Sequence, residues 1–385
     1  MGRPAFQAEN LGAKEQFSRF AAEVCQSTYG CCPFITVRDF SSENFRGPRG
    51  FRLNVAQFPL LAGAWLATVC DGLGSKVVIT NLAGFHRLQA RDLLAMLGGD
   101  ITRWGGCRLG LSEVLDTSTL GEVGSVSWHS FQELMIGLGE VAREQHVVLF
   151  DGETAQIGPC VGSVNPSIPT KYNWCGFMVG LYHDDFMILG DTIAPGQIVL
   201  ALPENGFRAN AFTTVQGILA SPFGDQWWRG MEPGTKAAIA ACAAPAVLYD
   251  SFFEAANGWT GKTRIPIRAI AHITGGGIPE KFGALLKPLG LSAVLDDLYK
   301  PSAIMQRCFE WGKLTHERAY RYLNGGQGVL VVVDEGTVGN FQSLAREYQQ
   351  EVKVCGRIVS SNGSPEIRLV SKYQGGDEIV FSLAA

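Results

Sequence analysis

Three acidic segments carry the residues best suited to chemistry. Asp71-Gly-Leu-Gly-Ser-Lys76 combines a carboxylate, two glycines, a hydroxyl and a lysine after an apolar stretch. Gly72 and Gly74 let the backbone come close to a ligand, the acid can hold a divalent metal, and the lysine can meet a phosphate. The P-loop spacing G-x-x-x-x-G-K-[ST] is missing, so this is not a Walker A segment. Asp92 and Asp100 lie eight residues apart around Leu93-Leu-Ala-Met-Leu97. That is about two helical turns, so both acids can share a face. Asp92 is expected in the first turn of this helix and Gly98-Gly99 at its end, which would turn Asp100 inward. The third segment, Asp151-Gly-Glu-Thr-Ala155, follows the apolar Val147–Phe150. Glu153 and Thr154 are expected to project from a strand end, a usual place for sites in α/β sheets. A fourth segment, Thr274-Gly-Gly-Gly-Ile-Pro279, has no acid. Gly275 and Gly276 suit an anion held by backbone N–H groups at a helix start. Taken singly, each segment also fits an ordinary polar turn. Together they favour a metal-phosphate site, because Mg²⁺ needs only two or three carboxylates when phosphates and waters complete its shell.

The elements around these segments alternate between strand and helix patterns. Leu60–Val69 reads as a strand ending at Asp71, with Val77–Thr80 as a short continuation. Ser130-Phe-Gln-Glu133 matches a capping box ahead of an amphipathic helix reaching about Gln145. Val147–Phe150 and Cys175–Tyr182 read as strands, with a loop over 157–173 between them. A boundary falls near Asp184–Pro195, which divides the chain into residues 1–185 and 186–385. Beyond it, Gln197–Leu202, Arg268–Ile273 and Gly328–Val333 read as strands, residues 209–256 as mainly helical, and Val352–Ile358 as the last strand. Both halves are therefore α/β or α+β.

The order of these segments resembles the aminoimidazole ribonucleotide synthetase family (phosphoribosylformylglycinamidine cyclo-ligase). Asp71-Gly-Leu-Gly-Ser-Lys76 is similar to the family's D-G-V-G-T-K, Asp92-Leu-Leu-Ala-Met96 with Gly99-Asp100 to D-L-V-A-M…N-D, and Gly152-Glu-Thr-Ala155 to G-E-T-A. Cys175-Gly-Phe-Met-Val-Gly180 is similar to A-G-F-x-V-G, Ala271-His-Ile-Thr-Gly-Gly-Gly-Ile-Pro-Glu280 to A-H-I-T-G-G-G-L-P-E, and the stretch from Tyr320 to Gly328 to the F-N-M-G-x-G segment. The resemblance implies a two-domain synthetase that dimerises through its N-terminal sheets and binds ATP in a cleft near the dimer interface. It implies that Asp71 and Asp100, with Glu153, hold Mg²⁺. Lys76 would meet phosphate, while Asp92, Ser75, Thr154 and the glycines 72, 74, 275 and 276 line the nucleotide site. The implied reaction is ATP-dependent closure of formylglycinamidine ribonucleotide to aminoimidazole ribonucleotide in purine synthesis. Gly99 stands where the family has Asn. Phe207-Arg-Ala-Asn-Ala211 stands where it has a His-Ser-Asn-Gly stretch, which puts Arg208 and Asn210 at the catalytic, substrate-facing position. The family's N-terminal glycine loop is reduced to Gly47-Pro-Arg-Gly50.

Bulk composition bounds the remaining classes. A net charge of −4 with no basic block gives no footprint for nucleic acid. The longest apolar runs, Pro59–Cys70 and Ala237–Tyr249, are too short to span a bilayer. Ten cysteines without a Cys-x-x-Cys pair, after an N-terminal stretch that lacks an apolar signal core, are expected to be reduced thiols of a cytoplasmic protein. His272 reads as a structural hydrogen-bonding residue, and the Trp227-Trp228 pair as packing.

Overall fold

The computed structural model describes residues 11–39, 49–163, 165, 168–230 and 232–383. Gly47 and Pro48 of the reduced glycine loop lie outside them, as do parts of the 157–173 loop.

The first half contains α1 (Leu11–Gln26), β1 (Ile35–Asp39), β2 (Arg49–Leu53), β3 (Trp65–Gly72), α2 (Lys76–Ala83), α3 (His86–Thr102), β4 (Cys107–Thr117), α4 (Val126–Glu144), β5 (Val148–Gln156) and β6 (Tyr172–Tyr182). β1 and β2 pair in a small antiparallel sheet, and the other four strands form a sheet in the order β3-β6-β4-β5. Only β4 and β5 run parallel, because α4 crosses between them. α3 and α4 cover one face of this sheet, burying Leu93, Leu97, Phe131, Leu138 and Trp174. The other face leaves Leu66 and Phe177 61% and 49% exposed, which is a large apolar commitment for a surface.

The second half contains β7 (Ile198–Pro203), α5 (Phe212–Phe223), α6 (Pro233–Cys242), α7 (Asp250–Ala256), β8 (Ile267–His272), α8 (Gly277–Lys281), α9 (Gly283–Leu286), β9 (Leu291–Leu295), α10 (Ala303–Trp311), α11 (His316–Tyr322), β10 (Gln327–Val333), α12 (Val338–Glu347), β11 (Lys353–Ser360), β12 (Glu366–Val370) and β13 (Glu378–Ser382). Its seven strands lie in the order β13-β12-β9-β11-β7-β10-β8. β10 is apolar on both faces because helices cover both: Leu330 and Val332 enter one core cluster, and Val329, Val331 and Val333 another.

Several local expectations change. Residues 77–80 are helical in α2 rather than a continuation of β3, and Ile79 packs into the core of the second half. α3 begins at His86, so Asp92 is an interior residue and not a first-turn acid. Gly98 and Gly99 do not end α3; they are where other elements press against it. A Cβ on Gly98 would stand 2.7 Å from Asp250, and one on Gly99 2.8 Å from the His272 ring. The cap of α4 is Ser125, whose hydroxyl accepts from the Trp128 N–H, and Ser130 lies inside the helix. The Asp151–Ala155 segment lies within β5 rather than after it. Val352–Ile358 is followed by two further strands, β12 and β13.

Candidate functional site

α3 is the spine of the site. Along it, Asp92, Ala95, Gly99 and Asp100 each meet a group from elsewhere in the fold. Asp71, at the end of β3, has its carboxyl raised above the usual range. Burial is the main cause, and the neighbouring Asp100 carboxylate adds to it, against the Gly72 N–H and Lys281. Asp100, from a separate element, is thus held close enough to disfavour the charge of Asp71, with Lys281 of α8 near them. Asp71 Oδ1 accepts from its neighbour Gly72 N–H at 2.7 Å, and Asp100 meets Arg103 at 3.2 Å. A divalent cation relieves this kind of like-charge pair, so the two carboxylates suit Mg²⁺ with phosphate and water completing its shell.

Glu153 does not join them within one chain. The sheet register runs from Gly72 to Cys175, Val114 and then Glu153. Asp71 and Glu153 therefore lie on opposite edge strands, separated by three strand spacings, or roughly 14 Å. Among the described residues, no group of three or more His, Cys, Asp or Glu residues is arranged to hold a metal. The expected three-acid set is corrected to a pair, with Glu153 elsewhere. Glu153 and Thr154 line a separate cavity of about 420 Å³ under α1, with Lys14, Ser18, Glu113 and Asp151.

Lys76 is also placed differently from the expectation. Its side chain is fully buried, and its ammonium donates to Asp92 Oδ1 at 2.7 Å and to the Ala244 carbonyl at 2.9 Å. Asp92 also accepts from the Ala246 N–H at 2.9 Å. Burial pushes the Asp92 carboxyl up, opposed by the lysine. This pair ties α2 to α3 and to the chain before α7, and it leaves neither residue open to a nucleotide. Lys281 is the lysine that stands near Asp71, and its segment was read only for its glycines.

Arg208 is 1% exposed and faces inward. It donates to Glu204 at 3.0 Å and to the Ala95 carbonyl of α3 at 3.1 Å, and its guanidinium lies 5.6 Å from the Tyr249 ring centre. The fixed charge expected beside a substrate is neutralised inside the fold, although Nε has no partner. Asn210 lies near Gly275, with a buried Nδ2 that also has no partner. His272, read as a structural hydrogen-bonding residue, has no partner on either ring nitrogen. It sits against Gly99, between the Tyr249 and Phe253 rings. Burial, with Arg208 and Arg103 adding to it, holds its pKa well below the usual value, so the ring is neutral. An Asn at position 99 would collide with it, so Gly99 is the packing complement of His272.

Ser75 and the glycines are the remaining predicted residues. Ser75 Oγ lies 3.3 Å from Thr213 Oγ1, Gly74 takes φ +52°, and Gly276 takes φ +87° in the turn that Gly277 N–H closes on the Thr274 carbonyl. These left-handed values account for glycine at both positions.

Glu113, missed from the sequence, is buried between β4 and β5 and accepts from Trp174 Nε1 at 2.8 Å. Burial, with Glu153 and Asp151 adding to it, pushes its carboxyl up to about 8, while the Trp174 bond opposes this. The folded chain then keeps a proton that the unfolded chain loses near the ordinary value of 4.5. The stabilisation is fully present below that value and is lost as pH rises towards about 8. The slope is at most roughly 1.4 kcal/mol per pH unit. Glu113→Gln keeps an acceptor for Trp174 and cannot ionise. Urea melts at pH 5 and pH 8 are expected to show the variant gaining on the parent at the higher pH; a constant difference would mean that Glu113 is already ionised at pH 5.

Residues 194–367 match the AIR synthase related protein, C-terminal domain. The chain is 27% identical over 294 residues to the phosphoribosylformylglycinamidine cyclo-ligase of Oceanobacillus iheyensis, covering 76% of this chain and 80% of that one. The hydrogenase maturation protein HypE in complex with ATP superposes with a TM-score of 0.54 at 12% identity, covering 84% and 85% of the two chains. A thiamine-monophosphate kinase from Stenotrophomonas maltophilia superposes with a TM-score of 0.56 at 12% identity, covering 91% and 95%. The second half of the chain thus matches an AIR synthase related C-terminal domain, and most of the chain is similar, at about a quarter identity, to proteins named phosphoribosylformylglycinamidine cyclo-ligase.

Proposed function

We propose that the chain is an ATP-dependent cyclo-ligase that converts formylglycinamidine ribonucleotide to aminoimidazole ribonucleotide, with release of ADP and phosphate, in the cytoplasm. The observation that carries this reading is that Asp71 at the end of β3 has Asp100 of α3 and Lys281 of α8, the helix that starts at the Gly275–Gly277 turn, close enough to act on its charge. The relatives named as cyclo-ligases supply the reaction. Residues 1–185 would form the nucleotide-binding and dimerising half, and residues 186–385 the half that closes the cleft.

In this reading Asp71 and Asp100 hold Mg²⁺, which when bound offsets phosphate charge. Lys281 adds a positive charge, and the N–H groups of Gly275 and Gly276 orient phosphate oxygens. The formyl oxygen of the substrate takes the γ-phosphoryl group, a substrate nitrogen attacks that carbon, and phosphate leaves as the ring closes. His272, neutral and without a partner, can donate from one ring nitrogen and accept at the other. The chain's contribution is therefore charge placement and orientation.

The split between Asp71 and Glu153 supports a homodimer. The exposed apolar face of the four-stranded sheet is suited to a second copy, and that copy's Glu153 and Thr154 would complete the nucleotide site. The test is an ADP-release assay with formylglycinamidine ribonucleotide, following the imidazole product alongside. Stoichiometric ADP and product are expected only with both substrates present. ADP release without product would move the assignment to another substrate.

A further inference from the structure

A cavity of about 810 Å³ is lined by none of the residues assigned above to the nucleotide or substrate. It is of the size that small-molecule sites have. Five rings line it: Phe58 and Tyr348 are half-buried and offer surface to it, while Phe34, Phe252 and Trp259 are buried behind them. Its charges are already satisfied. Arg108 is bound by Glu254 at 2.8 and 3.0 Å, by Ser251 Oγ at 3.0 Å and by Gln145 Oε1 at 3.2 Å. Arg91 is bound by Glu144 at 2.6 and 3.1 Å. No cation is left over for a phosphate.

The mouth of the cavity has an unusual construction. α4 and α12 end beside it, and each is followed by a non-glycine residue in the left-handed region: His146 at φ +56° and Gln349 at φ +54°. Glycine is the usual residue at such helix ends because a Cβ is disfavoured there. Two helices thus hold a polar side chain at a strained position on the same cavity. Both side chains are exposed at the mouth, and among the described residues neither makes a side-chain hydrogen bond, so each is free to turn to a ligand. Strain of this kind points towards a functional role.

An imidazole and a carboxamide each offer a donor and an acceptor. A carboxamide pairs with the edge of adenine through two hydrogen bonds, and aromatic walls stack on the face of a base. We propose that this cavity is a second small-molecule site for an uncharged purine base or nucleoside, held by stacking on its rings and by edge hydrogen bonds from Gln349 and His146. It does not depend on the cyclo-ligase reading.

The test is equilibrium dialysis of the full chain against labelled adenosine, alone and with saturating Mg-ATP, using the parent and the Gln349→Gly/His146→Gly double variant. Glycine relieves the strain, so the double variant should melt at the same temperature or higher, and lost binding then does not reflect unfolding. Saturable adenosine binding that survives Mg-ATP and weakens at least tenfold in the double variant is the expected result. No saturable binding, full displacement by Mg-ATP, or unchanged binding in the double variant would each overturn the assignment.

Discussion

Lys76→Met is expected to cost about 3–5 kcal/mol of stability, because it leaves the Asp92 carboxylate buried without its cation. The evidence is geometric: Lys76 is fully buried, Asp92 lies 2.7 Å away, and one Asp92 oxygen, Oδ2, already has no partner. Lys76→Met with Asp92→Leu removes both charges and should recover most of the loss, since apolar replacements of a buried ion pair are often neutral or better. Chemical denaturation of the two variants checks this. If the single variant is as stable as the parent but loses Mg-ATP binding, then Lys76 swings out to meet phosphate and the buried pairing is only a resting arrangement.

Asp71→Asn should do the opposite. Activity is expected to fall by about a hundredfold or more, the usual loss when a preorganised group acting on phosphoryl charge is removed. Stability should hold or rise, because the change removes a carboxyl whose charge is disfavoured by burial and by the neighbouring Asp100. Thermal melting and the ADP-release assay on the same preparation separate the two effects. Full activity in Asp71→Asn would move the metal site away from β3 and α3.

What was legible in the sequence was the order of the glycine–acid segments, and that order carried the fold class. What was hidden depended on partners far away in the chain. Nothing local to Asp71-Gly-Leu-Gly-Ser-Lys76 reveals that Lys76 reaches Asp92 and Ala244. The Gly98-Gly99 pair looks like a helix stop, and only the pressure of Asp250 and His272 explains why glycine stands inside α3. Val77–Thr80 is β-branched enough to read as strand, yet tertiary packing of Ile79 makes it helix. The separation of Asp71 from Glu153 is a matter of strand order, β3-β6-β4-β5, which adjacency in sequence does not encode. Arg208 reads as a substrate contact from sequence because nothing local reveals that Glu204, four residues earlier, takes its charge inside the fold.

α3 has one more consequence. Its Asp92, Ala95, Gly98, Gly99 and Thr102 positions are each met by a group from beyond residue 200: the Ala246 N–H, Arg208, Asp250, His272 and Asp250 again. The helix that covers the first sheet is thus also packed by the second half. If one half melts, this face of α3 loses its partners, so neither half keeps an intact boundary when the other is gone. The four-stranded and seven-stranded sheets and the cores packed on them are thereby bound into one cooperative unit, and the hinge-like freedom usual between the lobes of a two-domain protein is given up along this helix.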